Sequence, residues 1–177
     1  MGIIKGDIFQ MAYVVEDLDA TIDHWTNVIG VGPFFLFPLP LQLDWLELDG
    51  KRVADHDILS AAALAQNGSV QIEILVPGSA PSPYRDFLGQ GRQGLQHIGI
   101  YATDYDRQMA AVRAAGIGVA MEGVLPLSRF SYLHTDTRHA GTMVELIEPQ
   151  PAMLELFDGI RAASVGWDGR DPLRPLG

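Results

Sequence analysis

The chain repeats itself once, and that repeat limits its possible folds more than any other feature. The stretch Gln10–Trp25 and the stretch His97–Val112 follow one pattern. Each opens on five or six strand-forming residues, reaches an aspartate, and continues with apolar residues at helical spacing. Asp17 and Asp104, Leu18 and Tyr105, Ile22 and Met109, and Trp25 and Val112 all stand 87 residues apart. In the first helix the apolar spacing continues to Ile29, in the second to Ala115. The two aspartates sit where a carboxylate can accept from unpaired first-turn N–H groups. Gly30 and Gly116 follow as helix stops.

The repeats also end alike, because Val70–Pro77 and Thr142–Pro149 match at an offset of 72 residues. Between helix and last strand, the first repeat carries strand candidates at Phe34–Phe37, Asp44–Leu48 and Asp55–Ala65, broken by Pro38 and Pro40. Asn67-Gly68 marks a tight hairpin before Val70. In the second repeat Val119–Val124, Phe130–Thr135 and Thr142–Ile147 fill the same roles. The pattern predicts an α+β chain of two tandem βαβββ modules, at 7–77 and 94–150. A linker at 78–93 holds a short helix at Tyr84–Leu88. A C-terminal helix at Pro151–Ile160 leads into a loose tail at Trp167–Gly177.

Composition removes several function classes. The 177 residues include no cysteine, which excludes disulfides, thiolate nucleophiles and cysteine-bound zinc. A net charge of −10 leaves no basic footprint for nucleic acid. No apolar run reaches the roughly 18 residues of a membrane span. The first residues lack a secretory pattern, and Gly6 stands where myristoylation wants Ser or Thr. A cytoplasmic protein is the expectation. An anionic substrate would need local cations, for which the linker offers Arg85 and Arg92.

The ordered set Tyr13-Val-Val-Glu-Asp-Leu-Asp, Leu95-Gln-His-Ile-Gly-Ile and Val144-Glu-Leu-Ile-Glu-Pro resembles the vicinal-oxygen-chelate superfamily over residues 7–150. That superfamily includes glyoxalase I, methylmalonyl-CoA epimerase, extradiol dioxygenases, and the fosfomycin and bleomycin resistance proteins. The resemblance implies that the modules curl into a cupped, half-open, barrel-like sheet with flanking helices. It implies one divalent metal ion (Zn, Ni, Co, Mn or Mg), held by the first and last strands of each module. Those positions here are Gln10, Glu73, His97 and Glu145, a set similar to that of one glyoxalase I branch. It also implies a homodimer, and a small-molecule substrate with neighbouring oxygens.

Strand alternation supports the same set, since Gln10, Ala12 and Val14 share one face, as do His97, Gly99 and Tyr101. Glu73 and Glu145 each lie between two large apolar residues, where a carboxylate needs compensation. Gln71 shares the face of Glu73 and is the alternative ligand from that strand. The reaction implied is proton abstraction beside a carbonyl, by an isomerase, epimerase or lyase. Glu145 is the expected base and Glu73 the acid/base of the opposite face, with Asp44 and Glu47 as weaker candidates for a second base. The alternatives are a metal-free small-molecule or antibiotic-binding protein and an extradiol-type dioxygenase. The latter prefers two histidines and one carboxylate, and Gln10 takes the place of the first histidine. An acyl-CoA would need a basic rim, and the chain has 12 Lys plus Arg. His24, His56, His134 and His139 are read as outside the site, the last two flanking a hairpin at Asp136–Arg138.

Overall fold

A computed structural model of the chain describes residues 2–137 and 141–176. The first repeat runs β1 (Ile8–Val14), α1 (Leu18–His24), a π-helical turn (Trp25–Ile29), β2 (Phe34–Leu36), β3 (Trp45–Leu48), β4 (Lys51–Val53), β5 (Leu59–Asn67) and β6 (Val70–Pro77). The linker forms α2 (Pro83–Gly89). The second repeat runs β7 (Gly94–Tyr101), α3 (Tyr105–Ala114), β8 (Val119–Leu125), β9 (Ser128–Leu133) and β10 (Met143–Pro149). α4 (Pro151–Ser164) and β11 (Leu173–Pro175) complete the chain. Among the described residues, no helix is long and apolar enough to cross a membrane.

The strands form one curved, unclosed sheet in the order β11-β2-β5-β6-β1-β7-β10-β9-β8-β3-β4. Its centre is β1 against β7, antiparallel, so the two repeats meet through their first strands. Each first strand also pairs in parallel with its own repeat's last strand, β1 with β6 and β7 with β10. The two carboxylate-bearing strands therefore flank the central pair.

Alternation then sorts the side chains. On one face α1 covers Ile72 and Ile74 together with Met11 and Tyr13. On that same face α3 covers Val144, Leu146, Ile98 and Ile100. Both helices begin as the repeat predicts, with Asp17 accepting from the Ala20 N–H at 2.9 Å and Asp104 from the Arg107 N–H at 3.2 Å. The concave face gathers Val14, Leu64, Leu75, Tyr132 and Ile147, and α4 lays Met153, Phe157 and Ile160 over it.

Three expectations are corrected. Asp44–Leu48 is not a strand of the first module's own sheet. As β3 it crosses to pair antiparallel with β8, extending the second repeat and carrying the β3–β4 hairpin with it. The proline-broken stretch before it frees the chain to cross, and Leu46 anchors it by burying completely in the concave cluster. Ile29 does not continue the buried stripe. The π-helical turn adds a residue per turn and rotates Ile29 to 51% exposure. The last residues are not a loose tail, because β11 pairs in parallel with β2 and covers that edge. The Trp167 ring rests on Gly32, where a Cβ would lie 2.5 Å from it.

Candidate active site

The concave face carries one polar pole in an otherwise apolar cup, and strand register explains its position. Ala12 of β1 is opposite Glu73 on β6 and His97 on β7. Gly99 of β7 is opposite Gln10 on β1 and Glu145 on β10. The smallest residues thus occupy the crossing, and the four polar side chains close around it. A cavity of about 100 Å³ lies above, lined by Gln10, Glu73, Glu145, Tyr84 and Tyr132 among mostly aliphatic and aromatic residues.

His97 is completely buried at the pole. Its Nε2 lies 3.4 Å from Glu73 Oε2 and 3.5 Å from Glu145 Oε2. Its Nδ1–H donates to the Gln96 side-chain Oε1 at 2.7 Å, which turns Nε2 toward the carboxylates. Burial by itself pushes the imidazole pKa down, but the hydrogen bonds and charges of Glu145 and Glu73 outweigh it and raise it to about 9. Burial raises the Glu73 carboxyl above its ordinary range, with His97 opposing. Gln10 Nε2 donates to Gln71 Oε1 at 2.7 Å. That leaves Gln10 Oε1 and Gln71 Nε2 buried with no hydrogen-bond partner in the protein. An orphaned buried acceptor costs free energy unless something meets it.

Among the described residues, no three His, Cys, Asp or Glu side chains form a preformed metal cluster. The carboxylates are instead turned onto the imidazole. The donor chemistry nonetheless fits a divalent ion: one unsatisfied amide oxygen, one imidazole nitrogen and two carboxylates. Such an ion would supply the positive charge that the imidazolium supplies without it.

Two tyrosines join the pole that the sequence reading does not single out. Tyr84 of α2 donates to the Tyr132 hydroxyl at 2.7 Å, and that hydroxyl lies 3.5 Å from His97 Nε2. Burial first, then the negative charge of Glu145, holds both phenols well above their ordinary pKa, so both remain donors. Tyr132 pairs with Glu145 across β9 and β10, a relation that hairpin register could have revealed. Tyr84 carries no such signal, since its helix lies in the linker.

The remaining candidates lie elsewhere. Glu47 faces Arg52 at 3.4 Å, and neither it nor Asp44 lines this cavity. Arg85 donates to the Gly78 carbonyl at 2.6 Å, and Arg92 lies over the Phe87 ring. His56 meets the Val53 carbonyl, and His134 faces Asp49. His24 is exposed on α1. His139 and Arg138 lie outside the described residues.

Gly99→Ala tests the crossing. An added Cβ would stand 2.8 Å from Gln10 Oε1 and 3.0 Å from Gln10 Cβ. We expect Gln10 to be displaced and stability to fall by about 1–3 kcal/mol, measured by urea unfolding. An unchanged midpoint would mean that Gln10 is not packed against Gly99.

In solved structures the same fold recurs. A methylmalonyl-CoA epimerase from Mycobacterium tuberculosis superposes with a TM-score of 0.58 at 22% identity, covering 88% of this chain and 95% of that one. A hypothetical protein from Bacillus halodurans C-125 gives 0.60 at 15% identity, covering 82% and 96%. A Streptomyces coelicolor methylmalonyl-CoA epimerase variant in complex with 2-nitronate-propionyl-CoA gives 0.55 at 19% identity, covering 82% and 96%. No curated protein sequence matches the chain. The family model for the Glyoxalase/Bleomycin resistance protein/Dioxygenase superfamily matches residues 9–132, which include Gln10, Glu73, His97 and Tyr132, and the chain belongs to that superfamily.

Proposed function

We propose that the chain is a divalent-metal-dependent epimerase or related isomerase that moves a proton beside a carbonyl. The observation carrying this reading is the pair Glu73 and Glu145. They come from different repeats and approach the same imidazole nitrogen within 3.4 and 3.5 Å, at the polar end of an apolar cavity. Epimerisation needs one base and one acid on opposite faces of a carbon, and two carboxylates from opposite modules meet that need. Gln10, Glu73, His97 and Glu145 would hold the ion, which when bound would polarise the neighbouring oxygens of the substrate.

The other roles belong to the chain itself. Glu145 takes the proton, and Glu73 returns one from the opposite face. Gln96 fixes the His97 tautomer. Tyr132 donates a hydrogen bond toward the oxygen on which charge develops, and Tyr84 orients that hydroxyl by donating to it. The apolar walls exclude water and strengthen these interactions.

The first test is metal content after reconstitution, compared with a His97→Ala/Glu145→Ala double variant. About one ion per chain, lost in the variant, supports the reading. No ion in either protein leaves metal-free small-molecule binding in front, a reading favoured by the carboxylates already turned onto His97. A dioxygenase is disfavoured, because His97 is the single imidazole among the described residues at the pole.

Tyr84→Phe should lower kcat about tenfold with KM nearly unchanged, because it removes orientation felt most in the transition state. A rise in KM alone would assign Tyr84 to binding instead.

A further inference from the structure

The cavity above the pole does not end at its own walls. A second hollow of about 280 Å³ shares Phe37, Leu41, Leu125, Ser128, Met153 and Phe157 with it. It runs outward past Pro38, Leu127 and Leu156, between the proline-broken segment, the β8–β9 turn and α4. Together they form a channel with Glu73 and Glu145 near its inner end and almost wholly apolar walls beyond. Among the described residues, no Lys, Arg or His lines either part. The polar opening elsewhere on the cup, which reaches Gln96, sets Asp49, Asp86 and Asp136 against Arg92 and His134. Neither opening suits a polyphosphate, which needs clustered cations or free helix-terminal N–H groups.

We infer that the substrate is an oxygen-chelating head carrying a long, uncharged hydrocarbon tail, with the head at Glu73, His97 and Glu145 and the tail in this channel. This rests on the proposed function for the head and adds the chemical class of the rest of the molecule. Aliphatic and aromatic walls reward each buried methylene and give an ionic tail nothing to pair with. A nucleotide-borne thioester is the class the channel disfavours.

The test is calorimetric binding of an unbranched 2-oxo carboxylate series, short to long, to the whole 177-residue chain with manganese and with chelator. Ion content is measured in the same samples. Affinity should rise about fourfold per added methylene until the channel is filled, with little salt dependence. Leu156→Arg, at the half-buried outer mouth, should flatten that rise for long members and leave the shortest member unchanged. Its melting temperature should stay near that of the parent. A flat series, no binding by any member, or tighter, salt-sensitive binding of the corresponding CoA thioester would overturn the inference. The two readings fail separately. A chain-length rise that ignores the ion leaves the tail assignment standing and removes the metal-dependent reading. Ion-dependent binding of the short member without a length effect does the reverse.

Discussion

For the enantiomer whose proton Glu145 takes, Glu145→Gln should slow exchange of that proton with D2O by about 10²–10⁴-fold, with substrate affinity changed only a few-fold. The substitution keeps size and an oxygen donor but removes the basicity. Glu145 is 7% exposed and lines the cavity, and glutamine matches glutamate in size. The variant should therefore fold and still accept ligand. Glu73→Gln should do the same to the opposite enantiomer. If Glu73 serves the opposite face, one enantiomer keeps exchanging its proton while interconversion of the two fails. Proton exchange by NMR and optical activity, measured on the same samples, separate the two carboxylates. Unchanged exchange in Glu145→Gln would remove it as the base. Equal loss of exchange for both enantiomers in Glu73→Gln would mean that Glu73 only holds the site together.

Fold and pole were legible in the sequence to different depths. The repeat carried the plan because each half must bury one helix face and one strand face, which writes the same period twice. The pole followed from that plan, since Gln10 and His97 are equivalent first-strand positions, as Glu73 and Glu145 are last-strand ones. Other features depend on long-range pairing, which no local period records. β3 has an ordinary strand pattern whether it pairs within its own repeat or with β8. The tail reads as loose because its three-residue strand β11 is defined only by the β2 edge it covers. Tyr84 reaches the site because α2 packs near β1 and β6, so its partner Tyr132 stands 48 residues away in sequence. Gln71 illustrates an ambiguity that alternation cannot resolve. It shares the face of Glu73, yet register sets it opposite Gln10, whose amide it accepts from, while Glu73 points at His97.

Removing His97 should cost more stability than any other change at the pole. In the ion-free protein its imidazole is held protonated between Glu73 and Glu145, whose side chains are 18% and 10% exposed. His97→Ala leaves two carboxylates facing each other in an apolar cup with no counter-charge. Breaking a buried pair from one side costs about 3–5 kcal/mol, partly relieved if one carboxyl takes up a proton. The pH dependence identifies the cause. In the parent, the folded-state pKa of about 9 exceeds the ordinary 6.5, so the folded chain binds more protons than the unfolded one between those values. The stabilisation from His97 is complete below that window and is lost as pH rises through it. His97→Ala should lack this decline. Its deficit should instead be smallest in acid, where the carboxyls are protonated, and grow toward neutrality. Urea unfolding in chelator across that range reads both slopes. The same proton must leave before an ion can bind, so ion affinity in the parent should climb with pH up to about 9. Equal stability of His97→Ala and the parent at neutral pH in chelator would mean that the imidazole carries no charge between the carboxylates.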